Sequence, residues 1–98
     1  MDIRHDLTGS RFVMLMDGSE AGEIVYDVEA DGNLTALSVR VTPELQGQGA
    51  AGSLLGALVE HAQKHRLKIF PVCPYVVKQF ARDPDKYGHV DGGPPQHP

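Results

Sequence analysis

A glycine-rich turn that leads directly into an amphipathic segment organises this chain of 98 residues. The turn is Gln46-Gly47-Gln48-Gly49-Ala50-Ala51-Gly52, and apolar residues then recur at helical spacing as far as Ala62. The first turn of a helix leaves backbone N–H groups unpaired at the positive end of the helix dipole. The pattern therefore predicts a pyrophosphate cradle, or alternatively a tight loop whose glycines only serve turn geometry.

The composition limits the classes of protein that this chain can represent. A net charge of −4 without a block of Lys or Arg argues against a nucleic-acid surface. No apolar run approaches the ~20 residues of a membrane helix, and the N-terminus lacks the apolar stretch of a signal peptide. A single cysteine cannot form an internal disulfide. We therefore expect a cytoplasmic protein, a monomer or weak homodimer, without a membrane or nucleic-acid partner.

The segments before the glycine-rich turn predict an antiparallel meander. The predicted strands span residues 11–16, 23–30 and 34–41, with a further short strand near residue 3. Asp31-Gly32 between the last two is typical of a two-residue hairpin turn. In the strand that follows, alternation places Leu37, Val39 and Val41 on one face.

The segments after the turn predict a β-α-β unit. The helix is expected from residue 51 to about residue 65, and a strand at 67–70 would then lie parallel to strand 34–41. Pro74 favours the start of a second helix, which should end near Arg82. The fold class is therefore α/β (α+β), with residues 1–90 as one domain and residues 91–98 as a disordered tail.

This order of elements resembles the GNAT superfamily of acyl-coenzyme A dependent N-acetyltransferases. The signature of the family's pyrophosphate loop, Gln/Arg-x-x-Gly-x-Gly/Ala, is met by Gln46, Gly49 and Ala51. The segment Pro71-Val72-Cys73-Pro74-Tyr75-Val76 is similar to the Cys-Pro-Tyr segment of a minimal GNAT-like group. This chain departs from that group at Ser38-Val39-Arg40-Val41, where the group often carries His-Thr-Glu-Val, so a role for that histidine is not carried over.

The resemblance implies acetyl transfer from acetyl-coenzyme A to an amine, which would be a small molecule or a lysine side chain. The pantetheine arm would pair with the backbone of Val39, Arg40 and Val41. Two splayed parallel strands would separate near Val41 and Phe70 to admit the thioester. Backbone N–H groups would hold the pyrophosphate, namely those of Gln46, Gly47, Gln48, Gly49, Ala50 and Ala51.

Cys73 and Tyr75 are the candidate catalytic residues. Cys73 would cap the helix that begins at Pro74, which favours the thiolate and allows an acetyl-cysteine intermediate. Alternatively Cys73 lines the acyl pocket while the amine attacks directly, or it is a small buried hydrophobe. Tyr75 could protonate the departing thiolate, with Tyr87 as a second candidate, or could be an ordinary half-buried ring.

Other motifs fit less well. Gly47-x-Gly49-x-x-Gly52 matches the dinucleotide fingerprint, but the acidic residue expected ~20 positions later and the second half of a doubly wound sheet are missing. No Gly-Lys-Ser/Thr follows, which excludes a P-loop. His61 and His65 have the i, i+4 spacing of metal ligands, but Ala62 stands where a zincin needs Glu. We therefore expect surface histidines and no metal.

Two further functions stay open at this point. The chain could be a coenzyme A or acyl-coenzyme A binding module without efficient catalysis, or, less favoured, a structural protein whose sheet mediates association. An enzyme would use at least one of Cys73 and Tyr75, whereas a binding module would need neither. Glu23, Asp27 and Glu29 could attract a cationic amine or form an ordinary solvated strand face.

Overall fold

A five-stranded mixed sheet with a helix packed on one face forms the body of the computed structural model, which describes residues 2–94. The strands, in their order across the sheet, are β1 (Asp2–Asp6), β2 (Arg11–Met16), β3 (Ser19–Val28), β4 (Leu34–Val41) and β5 (Ile69–Pro71). The helices are α1 (Ala50–Lys64), α2 (Pro74–Arg82), α3 (Pro84–Tyr87) and a 3₁₀ helix at Pro43–Leu45. Strands β1 to β4 pair antiparallel and β5 runs parallel to β4. The predicted fold class is confirmed.

Helix α1 supplies most of the apolar surface that covers the sheet. Leu54, Leu55, Leu58 and Ala62 are fully buried, at the spacing that the sequence pattern predicted. Burying each leucine contributes ~1.5–3 kcal/mol, so this one stripe fixes the helix on the strands. Within residues 2–94, no helix has the length and apolarity that spanning a membrane requires.

The two-residue hairpin lies at a different turn from the predicted one. Asp17 and Gly18 alone join β2 to β3, and both have positive φ, at 52° and 81°. Asp31 and Gly32 instead belong to a five-residue connection, residues 29–33, in which the amide of Glu29 donates to the carbonyl of Asn33. Both Asp-Gly pairs supply the positive φ that a turn needs, but local sequence does not decide where the strands beside them stop pairing.

A bulge in β4 overturns the predicted alternation of that strand. Tyr26 pairs with Ala36 but Val25 pairs with Ser38, so Leu37 is an extra residue in β4. Leu34 and Ala36 are therefore buried and Leu37 is 37% exposed, while Val39 and Val41 pack against the core. The expectation that Leu37 shares a face with Val39 and Val41 is wrong.

The chain after α3 returns to the sheet and meets β5. Asp91 forms a parallel bridge with Ile69, and the amide of Gly92 donates to the Ile69 carbonyl at 2.8 Å. A Cβ at Gly92 would lie 2.8 Å from the ring of Phe70, so only glycine fits there. The first two residues of the predicted tail therefore pair with the free edge of β5, and the disorder of the tail stays a prediction. Residues 95–98 of that tail lie outside the described residues.

Candidate active site

The parallel strands β4 and β5 separate soon after they meet. They pair over three residues each, and the amides of Val72 and Cys73 then both donate to the carbonyl of Ala36, at 3.0 and 2.9 Å. The cause is the shortness of β5, which ends at a proline without an N–H donor. We call this separation point the fork. It lies at Ala36, earlier along β4 than the predicted opening near Val41 and Phe70.

Beyond the fork, β4 continues as an open edge. No residue among 2–94 pairs with this side of β4 after Ala36. The amide of Thr42 donates to Ala21 on the β3 side, so alternation turns the backbone groups of Val39 and Val41 toward the open edge. Arg40 pairs with β3 through its backbone. Of the three residues predicted to pair with pantetheine, Val39 therefore presents both backbone groups and Val41 presents its amide, while the Val41 carbonyl accepts from the side chain of Gln46.

The loop after β4 carries a set of backbone N–H groups without a protein acceptor. The amides of Gln46 and Gln48, both predicted donors, already donate to the carbonyls of Pro43 and Leu45. Within the described residues, the amides left without an acceptor are those of Gly47, Gly49, Ala50, Ala51 and Gly52. Gly52 was not among the predicted donors, although its place in the first turn of a helix is the signal that identifies it.

Two glycines give this loop its shape. Gly47 and Gly49 have φ of 80° and 81°, a region that costs other residues ~1–2 kcal/mol. A Cβ at either position would meet no atom within 4 Å, so neither glycine is required by crowding inside the protein. The side chain of Gln46 ties the loop to the end of β4, since its Nε2 donates to the Val41 carbonyl at 3.4 Å. The loop therefore has both a turn geometry that requires glycine and backbone N–H groups without an acceptor.

Cys73 lies at the fork as the N-cap of α2. Its amide closes the fork on Ala36, and its carbonyl accepts the first bond of the helix from the amide of Val77 at 3.0 Å. The side chain is 5% exposed, belongs to the core cluster and makes no capping hydrogen bond. Cys73 therefore occupies the predicted N-cap position, and it is also as buried as a cysteine with a purely structural role would be.

Tyr75 extends from α2 to the first turn of α1. Its hydroxyl would lie 3.6 Å from a Cβ placed at Gly52, and its ring is half-buried against the core. Burial raises the pKa of Tyr75, and the nearby Tyr87 is a smaller cause in the same direction. The phenol is therefore kept protonated at neutral pH, which is the form that a general acid needs.

Tyr87, the second candidate acid, is a core residue. It is 7% exposed, and its ring stacks on that of Phe80 with the centroids 5.0 Å apart. The ammonium of Lys86 lies over the same ring at 5.4 Å. These contacts give Tyr87 a packing role that joins α2 to α3.

The two helix histidines are not independent surface groups. The ring of His61 lies 4.6 Å from that of His65 and 4.7 Å from that of His5, which is in β1. This contact comes from the packing of α1 on the sheet, which no pattern within the helix reveals. Among residues 2–94, no group of three His, Cys, Asp or Glu side chains is arranged to hold a metal ion.

The acidic side chains near the end of β4 already have basic partners. Glu23 accepts from Arg11 at 2.8 Å and from Arg40 at 3.0 Å. The hydrogen bond from Arg11 is the main reason that the pKa of Glu23 is lowered. Arg11 also pairs with Asp6 and Glu20. These ion pairs leave little negative charge with which Glu23 could attract a cationic amine.

A cleft of about 310 Å³ adjoins the end of β4. It is lined by the start of β3 and by the residues that lead into the glycine-rich loop, namely Glu20, Ala21, Gly22, Arg40, Val41, Thr42 and Pro43. Glu20 and Arg40 place one charge of each sign at its rim. The open edge of β4, the wall of the cleft formed by residues 40–43 and the five free amides therefore follow one another along the chain.

The sequence profile of the GCN5-related N-acetyl-transferases matches residues 11–90, which include the fork, the loop and α2. The chain belongs to this family. A GCN5-like N-acetyltransferase candidate from Staphylococcus aureus has a similar solution structure, with 29% identity and a TM-score of 0.71. That match covers 98% of this chain and 92% of the other. The splayed strands and the glycine-rich loop are therefore those of an N-acetyltransferase fold, in a family whose members transfer acyl groups.

More distant structures show the same fold. An acetyltransferase from Vibrio fischeri has 18% identity and a TM-score of 0.53, over 64% of this chain and 59% of the other. A ribosomal-protein-alanine N-acetyltransferase from Brucella melitensis biovar Abortus has 18% identity and the same TM-score, over 74% and 59%. No curated protein sequence matches the chain.

Proposed function

We propose that this protein transfers the acetyl group of acetyl-coenzyme A to an amine by direct attack of the amine on the thioester. One observation carries the proposal. The unpaired edge of β4 leads from five free amides at the start of α1 to the fork beside Cys73 and Tyr75. This arrangement suits a linear ligand whose anionic end binds the free amides and whose amide-containing arm lies along the edge of β4.

The residues present suit acetyl-coenzyme A. The amides of Gly47, Gly49 and Gly52 would bind pyrophosphate oxygens at the positive end of α1. The backbone of Val39 and Val41 would pair with the pantetheine amides as an added strand does. The bound cosubstrate supplies a thioester, whose carbonyl carbon is the electrophile for the acceptor.

The proton balance assigns a role to Tyr75. The amine nitrogen forms a bond to the thioester carbonyl carbon, the carbon–sulfur bond breaks, and the leaving thiolate takes a proton. Tyr75 supplies that proton and is then reprotonated by solvent, while the nitrogen releases its own proton to water. Because the pKa of Tyr75 is raised by burial, the residue holds this proton throughout the physiological range.

Direct attack is preferred over an acetyl-cysteine because of the burial of Cys73. A thiol that is 5% exposed and packed in the core needs no other role than filling the fork. The covalent route would use the same thioester in two steps and would leave the acetyl group on Cys73 until an amine arrived. The amine acceptor, the cytoplasmic location and the monomeric or weakly dimeric state remain predictions.

Ligand-dependent stability and turnover test the proposal together. Coenzyme A and acetyl-coenzyme A should raise the melting temperature, because a ligand that binds only the folded state stabilises it, whereas NADH should not. Release of free thiol from acetyl-coenzyme A should then appear with one or more members of a panel of amines. Stabilisation without turnover for any amine would support the binding module, and no stabilisation by millimolar coenzyme A would refute both.

A further inference from the structure

Three histidine rings gather where β1 meets the C-terminal half of α1. The ring of His5 stacks on that of Phe12 with the centroids 4.1 Å apart, and its Nε2 lies 2.6 Å from the hydroxyl oxygen of Tyr26. His61 meets the ring of His5 edge-on at 4.7 Å, and His65 lies 4.6 Å beyond it. We call His5, His61 and His65 the histidine cluster.

The histidine cluster lies away from the candidate active site. His61 lies nine positions after Gly52 in α1, which is ~14 Å along a helix axis. His5 belongs to the edge strand β1, which pairs only with β2 among the described strands. The family profile begins at residue 11, so β1 lies outside the matched region. The cluster therefore joins this peripheral strand to the central helix.

The surroundings of His5 and His61 favour neutral rings. Burial is the main cause that lowers the pKa of His5 and of His61, and the cluster's own rings add mutual repulsion. Lys64 in α1 adds a positive charge against His61. Asp6 favours a charged His5, but this carboxylate also pairs with Arg11 at 2.9 Å.

The residues that β2 and β3 place in contact with His5 carry no charge. Phe12 from β2 contributes an apolar ring, and Tyr26 from β3 contributes a neutral phenol whose pKa is raised by burial. Protonating both His5 and His61 would therefore place two positive rings 4.7 Å apart. The nearby carboxylate of Asp6 is already shared with Arg11. Moving β1 away from α1 relieves that repulsion at the cost of the pairing with β2, the contacts of His5 with Phe12 and Tyr26, and the ion pair of Asp6.

We propose that the histidine cluster is a pH-sensitive clasp, which holds β1 on the sheet while the rings are neutral and releases this strand when His5 and His61 are protonated. Because the pKa values lie below 6.5 in the closed form, its stability is complete above pH 6.5 and falls as the pH drops below that value. The opening constant of β1 rises about tenfold for each pKa unit of depression once the pH is below both values.

Nuclear magnetic resonance tests the clasp on the intact chain, in EDTA so that trace metals do not bind the rings. The ring resonances of His5 and His61 should titrate below pH 6.5. Between pH 7.5 and 5.5, amide exchange in β1, corrected for its intrinsic pH dependence, should accelerate relative to β3 and β4. The proposal would be overturned if the rings of His5 and His61 titrate at or above pH 6.5. It would also be overturned if the exchange protection of β1 does not change with pH.

Two substitutions separate the clasp from general acid sensitivity. His61→Gln keeps a polar side chain on α1 and should weaken the pH dependence of β1 opening, while the part that the burial of His5 contributes remains. His89→Gln removes an exposed histidine outside the cluster and should leave that dependence unchanged. If both variants shift β1 exchange equally, the clasp is wrong. If His61→Gln fails to fold, the titration of the unsubstituted chain still decides the proposal.

Discussion

The hydroxyl of Tyr75 lies against Gly52, at 3.6 Å from the position that a Cβ would take there. The two residues belong to the first turns of different helices, α2 and α1. Their contact places a protonated phenol beside the free amides and next to the fork. The side chain that Gly52 lacks would occupy the space between them, because Cα–Cβ bonds in a helix tilt toward its N-terminus.

Gly52→Ala should therefore stabilise the protein and weaken its binding of coenzyme A. Replacing a helical glycine by alanine adds up to about 1 kcal/mol to the free energy of unfolding, and the 3.6 Å contact is an ordinary one. The new methyl group blocks one charged hydrogen bond worth ~1.5–3 kcal/mol, so affinity should fall at least about tenfold.

Gly56→Ala is the matched control for Gly52→Ala. It lies one turn later in the same helix, is exposed, and has no atom within 4 Å of its Cβ position. Urea unfolding should show a similar gain for both variants, while calorimetry should show weaker coenzyme A binding only for Gly52→Ala. Equal affinities would remove the first turn of α1 from the site. Gly47 and Gly49 are unsuitable for this comparison because their positive φ makes any substitution strained.

Tyr75→Phe should lower kcat by ~10²–10⁴ without changing the melting temperature or the affinity for coenzyme A. The ring and its packing stay, and only the proton donor is lost. If Tyr75 is the general acid, its protonated phenol is the active form, so activity should persist to pH 10 and decline above it, because the pKa of Tyr75 is raised from 10.0. The variant should lack this alkaline limb.

Tyr87→Phe provides the comparison for Tyr75→Phe. Its ring is stacked in the core, so removal of its hydroxyl should change kcat little. If steady-state rates show that Tyr87→Phe is as slow as Tyr75→Phe, the assignment of the acid is wrong. If neither variant is slower, water protonates the leaving thiolate and the fork contributes positioning alone.

The elements that the sequence predicted correctly are those with local causes. Helix α1 follows from its apolar spacing and α2 from Pro74, and both begin within one residue of the expected position. Strands β2 and β4 match their predicted bounds because β-prone residues end at turn residues on each side. The glycine-rich loop was recognisable for the same reason, since small residues and the start of a helix are adjacent in sequence.

The features that the sequence did not predict depend on distant contacts. The bulge at Leu37 is a property of the pairing between β3 and β4, and the position of the fork depends on where β5 stops. Asp91 forms its bridge with Ile69 because a free strand edge is near it in space. His5 and His61 are 56 positions apart, and only the packing of α1 on the sheet brings their rings together.

Glu23→Gln should reduce the loss of stability in acid. Hydrogen bonds from Arg11 lower the pKa of Glu23 below 4.5, so this carboxylate stabilises the fold above that pH and ceases to do so as the pH falls through the lowered value. The variant should be less stable than the unsubstituted protein at pH 7, and the two should converge toward pH 3. Urea unfolding at several pH values measures the difference.

Asp27→Asn serves as the control for Glu23→Gln. Asp27 lies on the same strand, is exposed and forms no described ion pair within residues 2–94. Its substitution should leave the slope of stability against pH almost unchanged. Some acid sensitivity should remain in Glu23→Gln, because the pKa of Asp6 is also lowered, first by the amide of Gly9 and then by Arg11. If Glu23→Gln does not change the slope of stability against pH, the ion pairs around Arg11 contribute little to stability.

Cys73→Ala should retain turnover within a few fold, although the cavity it leaves should cost about 1 kcal/mol of stability. Direct attack by the amine needs no thiol, and the free amides of the loop are unaffected by the change. Incubating the unsubstituted protein with acetyl-coenzyme A alone should leave its intact mass unchanged. Because Cys73 is the only cysteine in the chain, no other thiol can produce a false adduct by the same chemistry. An added acetyl group that vanishes in Cys73→Ala, together with lost turnover, would instead establish the covalent route.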